Sequence, residues 1–170
     1  MIQSIEAFYA GVGEYVAQFE LFVKKHALEG VAKADHICYK CGSKESFEAL
    51  RELFEPKDVS VYIYQAMISE RRIAYIKLKK SIETSIGTIE FLELSDQKLN
   101  GSQVDGFDHI ELYPTRISYD ELVEQLEMSE RVTKVERLHH TTHDIDTGGG
   151  FLARLTTGPL IEKIKTREMV

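Results

Sequence analysis

Apolar residues recur along the chain with two different periods, and the places where the period changes mark out the elements. Before about Gly30, Ile5, Phe8, Val12, Val16, Phe19 and Val23 follow one another at intervals of three or four, the repeat of one helix face. This segment predicts one long amphipathic helix, or two with Gly11 and Gly13 as a weak point. Its stripe is expected to pack on a sheet, with a dimer contact as the alternative. From Val31 the pattern shortens. Ala34-Asp-His-Ile-Cys-Tyr39 is β-prone and punctuated by Gly42, and so reads as a strand. Phe47, Leu50, Leu53 and Phe54 then return to helical spacing after Ser43, which stands where an N-cap belongs. Three further strands are predicted over residues 59–67, 73–79 and 86–94.

The same order is then repeated. Phe107-Asp-His-Ile-Glu-Leu112 restates the first strand, with His109 placed 73 residues after His36. Pro114 ends it, Tyr119, Leu122, Val123 and Leu126 give a helix after Ser118, and strands are predicted over 132–140, 151–156 and 159–165. The polar stretch 141–150 ends in three glycines and is expected to be a mobile loop beside any site. The chain thus reads as an α+β fold of two βαβββ modules, 31–95 and 104–168, in a single domain over 1–170, with 1–30 as an N-terminal helical extension.

Composition narrows the function classes. With 43% hydrophobic and 29% charged residues in 170, the chain is ordinary for one soluble domain. A net charge of −7 argues against nucleic acid, which requires clustered Lys and Arg. The densest basic run, Lys77-Leu-Lys-Lys80 beside Glu83, reads as a solvated strand end. No targeting or membrane-spanning segment is visible, so a cytoplasmic location is expected. Cys38 and Cys41 form a lone C-x-x-C without a second pair and are read as free thiols.

The chemistry lies in the repeat. Each copy carries a histidine on its first strand, His36 and His109, and a glutamate on its predicted last strand, Glu93 and Glu162. By two-residue alternation, these four groups point into an otherwise apolar trough. Unpaired burial would cost several kcal/mol each, so a shared cation accounts for them, and two imidazoles with two carboxylates suit a borderline metal ion. Glu111, two residues beyond His109 on the same face, is a candidate hydrogen-bond acceptor behind the ligands or a general base. Asp35, Asp108 and Glu90 are expected to face away. His139, His140, His143 and Asp144 lie in or beside the glycine-ended stretch and read as surface residues, or as a flap supplying an acid or base.

The phrases Asp35-His-Ile37, Gly106-Phe-Asp-His-Ile110, Phe91-Leu-Glu-Leu94 and Thr157-Gly-Pro-Leu-Ile-Glu162 resemble the four ligand-bearing segments of the vicinal oxygen chelate superfamily. That superfamily includes glyoxalase I, extradiol dioxygenases and bleomycin-resistance proteins. The N-terminal piece and motif order look most like the YecM family of metal-binding proteins. The resemblance implies a curled mixed sheet holding one divalent transition metal (Zn, Ni, Mn or Fe) between the modules. It implies His36, Glu93, His109 and Glu162 as ligands, with Glu162, Glu93 or Glu111 as the catalytic base. The expected function is a metal-dependent isomerase or lyase acting on a small oxygenated substrate through a metal-stabilised enediolate. The alternatives are a non-haem Fe(II) dioxygenase-like oxidoreductase and a non-catalytic ligand- or metal-binding module. The expected partner is a small-molecule substrate, with neither nucleic acid nor membrane, in a monomer or homodimer.

Overall fold

The computed structural model describes residues 2–68, 70–136, 141–148 and 150–168. The first element is one unbroken helix, α1 (Ile5–Lys25), capped by Ser4, whose hydroxyl accepts the Ala7 N–H. The first module follows as β1 (Ala32–Lys40), α2 (Lys44–Leu53), β2 (Ser60–Ile68), β3 (Arg71–Thr84) and β4 (Gly87–Ser95). The second is β5 (Gly106–Pro114), α3 (Tyr119–Glu127), β6 (Arg131–Glu136), β7 (Thr141–Asp146) and β8 (Leu152–Leu155). A last helix, α4 (Leu160–Glu168), closes the described chain. Both predicted N-caps hold. Ser43 with Ser46, and Ser118 with Glu121, form reciprocal capping boxes that satisfy otherwise orphaned amide donors.

The eight strands make one curled, unclosed mixed sheet in the order β2-β3-β4-β1-β5-β8-β7-β6. The order is an inverted repeat. Each module runs outward from its first strand through a parallel neighbour, β1 to β4 and β5 to β8, and the modules meet where β1 and β5 pair antiparallel. One face of the sheet carries the main core, in which Ile37, Tyr39, Ile110 and Leu112 meet Phe8, Phe19 and Phe22 of α1, Phe47 of α2 and Leu122 of α3. Each fully buried Phe or Leu contributes about 1.5–3 kcal/mol, so the N-terminal stripe is an integral layer of that core. The opposite face carries a smaller cluster, Ile73, Tyr75 and Phe91, covered by Leu160 and Ile164 of α4.

Two expectations for the second module are corrected. The stretch predicted as a loop over 141–150 is largely β7, paired with β6 and β8, in which Thr142 and Ile145, three apart and so on opposite faces, are both buried. The segment 159–165 is helical. Leu160 and Ile164, four apart, are its buried positions, and a helix follows naturally from a Gly-Pro start. The last strand of the second module is therefore β8.

Candidate metal centre

The site forms on the seam between β1 and β5, and two β-bulges shape it. Pairing steps from Ala34↔Leu112 to His36↔Glu111, leaving Asp35 extra on β1, and from Cys38↔His109 to Tyr39↔Phe107, leaving Asp108 extra on β5. An extra residue bends the strand and re-aims its side chains. Alternation therefore breaks, and each Asp turns towards the histidine after it. The Nδ1–H of His36 donates to Asp35 Oδ2 at 2.9 Å, and that of His109 to Asp108 Oδ2 at 2.8 Å. Both aspartates were expected to face away. Instead they fix each imidazole so that Nε2 is the atom presented to the pocket.

Both histidines are only 1% exposed, and their rings meet edge to face at 6.1 Å. His36 Nε2 is buried and has no hydrogen-bond partner among the described residues. Glu93 Oε2 stands 3.6 Å from it and Glu111 Oε2 3.7 Å, too far for hydrogen bonds. Two donor atoms sharing a first-row ion at bonds of about 2.1 Å lie roughly 3.4 Å apart in a tetrahedral arrangement. The spacing and donor types thus fit a divalent cation, and one ligand atom each from His36, His109 and Glu111 lie within 4.8 Å of one another. A second such group joins Cys38, Asp108 and His109. Cys38 donates its thiol hydrogen to Glu93 Oε1 at 3.4 Å, and burial together with Glu93 pushes that thiol well up. Cys41 is also a buried free thiol.

The protein's own cations also reach the site. Glu93 pairs in register with Cys38, and the corresponding partner of Glu111 across the repeat is Arg154. Arg154 donates from Nε and Nη2 to the two oxygens of Asp144 at 2.6 and 2.9 Å, and from Nη1 to His109 Nε2 at 3.0 Å. Lys163, on α4, donates to Glu111 Oε1 at 3.0 Å and to Thr156. Lys40 pairs with Asp108.

These contacts set the protonation states. Burial opposes ionisation of Glu111, but His36 and Lys163 outweigh it and hold the carboxyl low, at about 2. Burial is likewise overcome at Glu93, where His36 is the main cause of a carboxyl well below its usual range. For His36 itself, burial favours the neutral ring, while Glu111, Asp35 and Glu93 drive it up. His109 moves the other way, through burial and Arg154. The expectation that these carboxylates require an external cation is thus modified: in the metal-free protein, protonated His36, Arg154 and Lys163 balance them.

Of the sequence-predicted residues, His36, His109, Glu93 and Glu111 converge here. Glu162 does not. It lies exposed on α4, because its segment is helical, and the strand position equivalent to Glu93 belongs to Arg154. Glu90 is exposed, as expected. His143 lies on β7 with Nδ1 2.7 Å from the Tyr119 hydroxyl, away from the seam, while His139 and His140 lie outside the described residues. The residues missed from sequence are Arg154 and Lys163; Asp144, read as part of a surface or flap cluster, instead holds Arg154. The signal for Arg154 was its place on the strand after His143, in register with the echo. α4 closes the pocket, and Asp35 accepts its first amide, Leu160 N–H, at 2.9 Å.

The sequence matches a family model described as YecM protein over residues 1–149. No curated protein matches. A solved structure described as structural-genomics protein EC4020 is 17% identical, with 98% of each chain covered and a TM-score of 0.70, a likeness of fold. A candidate dioxygenase from Bacillus subtilis subsp. subtilis str. 168 is 11% identical over 75% of this chain and 41% of its own, with a TM-score of 0.48. No helix among the described residues is long and apolar enough to cross a membrane.

Proposed function

The chain belongs to the YecM family, and from that premise we propose that it binds one divalent transition metal ion at the β1–β5 seam and acts as a metal-dependent isomerase or lyase on a small oxygenated substrate. The observation that carries this reading is the buried Nε2 of His36, without a hydrogen-bond partner among the described residues and facing two carboxylates at nearly equal distances. His36 and His109 would hold the ion with Glu93, 3.6 Å from His36 Nε2, while Glu111, with an oxygen within 4.8 Å of a nitrogen of each imidazole, borders it; the ion supplies Lewis acidity towards two neighbouring substrate oxygens. Asp35 and Asp108 keep the imidazoles oriented. Glu111 is placed within the pocket to take a proton from carbon, and because Lys163 and His36 hold its carboxyl low, it gains the basicity for that step only when Lys163 turns away. Tyr75, Phe91 and Ile164 exclude water from that transfer.

A second reading has its own support. If Glu111 keeps Lys163 it is withdrawn as a base, and the same two histidines and Glu93 leave the face used by non-haem Fe(II) proteins in dioxygen chemistry. Arg154, standing where a fourth donor would be, favours that set.

Elemental analysis of protein purified without chelator tests the shared core of both readings. The expected result is stoichiometric metal, lost in His36→Ala and His109→Ala and retained in Glu162→Gln. Retention in both histidine variants would overturn it. Proton exchange from deuterated solvent into α-hydroxycarbonyl compounds, against oxygen uptake by the Fe(II) form, then separates isomerase or lyase from oxygenase.

A further inference from the structure

At Arg154 the two halves of the seam carry opposite charge. Glu93 and Arg154 occupy equivalent places on β4 and β8, each paired with the residue two beyond a site histidine or its counterpart. The guanidinium side chain is only 14% exposed. Two of its three nitrogens are held by Asp144 on the neighbouring strand, a bidentate clamp that fixes the planar fork. Only Nη1 is turned into the pocket, and its partner there is His109 Nε2.

That contact has a chemical consequence. The lone pair of Nε2 serves one partner at a time, so a cation bound by His109 takes the acceptor away from Arg154. Nη1 is then a buried donor of positive charge beside the ion, and a buried donor without an acceptor is costly. Retreat is blocked by the Asp144 clamp. With Glu93 on the ion and Glu111 held by Lys163, the group left to replace the imidazole nitrogen is an anionic oxygen on whatever else occupies the pocket, since guanidinium prefers carboxylate geometry.

We infer that Arg154 is a specificity-determining residue that selects ligands bearing a carboxylate next to a metal-chelating oxygen, as in 2-hydroxy and 2-oxo acids. The inference rests on the metal reading above and adds the substrate class. No covalent step is involved: the ligand carboxylate accepts from Arg154 Nη1 while its neighbouring oxygen meets the ion. Arg154 lies beyond the residues matched by the family model, which end at 149.

The test uses the full chain loaded with Co(II), whose visible spectrum reports ligand binding, titrated with glycolate and with its neutral counterpart glycolamide. The metal itself prefers the anion, so the informative quantity is how much the preference depends on Arg154. In the natural protein glycolate is expected to bind more tightly than glycolamide. That ratio is expected to fall at least tenfold in Arg154→Gln, while Co(II) affinity measured without ligand stays equal or rises, because the competitor for His109 has gone. Arg154→Lys keeps the charge and the tie to Asp144 but cannot also reach the pocket, so it should show the same fall and serves if the Gln variant fails to fold. An unchanged ratio in either folded variant, or no glycolate binding by the Co(II)-loaded natural protein, overturns the inference and leaves the metal reading standing. Failure of the natural protein to take up Co(II) overturns the metal reading, and this inference with it.

Discussion

Replacing Asp35 by Ala removes one buried carboxylate that serves two donors at once. Its oxygens accept the Nδ1–H of His36 and the first amide of α4, Leu160 N–H. Both donors are buried, and stranding one costs about 1–3 kcal/mol. Some relief follows if water enters beside the freed helix, so the expected loss is about 3 kcal/mol. At roughly 2–4 °C per kcal/mol for a chain of this size, the melting midpoint should fall by about 6–12 °C. Asp35→Asn keeps one good acceptor and turns an amide donor towards the other group, so it should recover about half of the loss. Urea unfolding gives the magnitude, and hydrogen exchange localises it: α4 amides should exchange faster while those of α1 are unchanged. The nitrogen-15 shifts of His36 supply an independent readout, since loss of Asp35 removes one of the groups that keep the ring protonated. An Ala variant within about 0.5 kcal/mol of the natural protein, the range of an inert surface change, would refute the reasoning.

Stability of the metal-free protein should depend on pH at both ends. Glu93 and Glu111 have folded pKa values below their ordinary 4.5, so their contribution is present above about 4.5 and is lost as pH falls towards the folded values. His36 is raised from 6.5 to about 10, so its contribution is present below 6.5 and disappears as pH climbs to about 10. Urea midpoints across pH 3–10 should therefore peak between these limits, with the alkaline loss flattened in His36→Gln; a natural protein unaffected between pH 6.5 and 10 would contradict the charge pairing. Within α1, a Cβ at Gly11 would come within 2.9 Å of the Phe107 ring, whereas one at Gly13 meets nothing within 4 Å. Gly13→Ala should thus raise stability by about 0.5–1 kcal/mol, and Gly11→Ala should lower it by about 1–3 kcal/mol, as judged by thermal melts; a gain at both positions would show that the ring yields.

Much of the architecture was legible because the Asp-His doublet recurs at a fixed offset and both serine caps precede clear helical stripes. The convergence of His36, His109, Glu93 and Glu111 followed from that echo. What escaped has physical reasons. Strict alternation sent Asp35 and Asp108 to the wrong side, since a bulge adds a residue and local spacing does not reveal it. Glu162 matches Glu93 only in its rough separation from the preceding site histidine, whereas Leu160 and Ile164 carry the four-residue period of a helix. Arg154 escapes because the molecule places unlike charges at equivalent positions of the repeat, Glu93 on β4 and Arg154 on β8.

The two bulges are anchored from opposite ends of the described chain. Asp35 is tied to the start of α4, and the backbone carbonyl of Asp108 accepts the hydroxyl of Tyr15 on α1 at 2.6 Å. The first and last helices are therefore guy ropes, each tensioning one histidine of the pair. Trimming either helix would slacken the imidazole it steadies while sparing the other, so two truncated proteins that both fold would differ in which half of the centre they had lost.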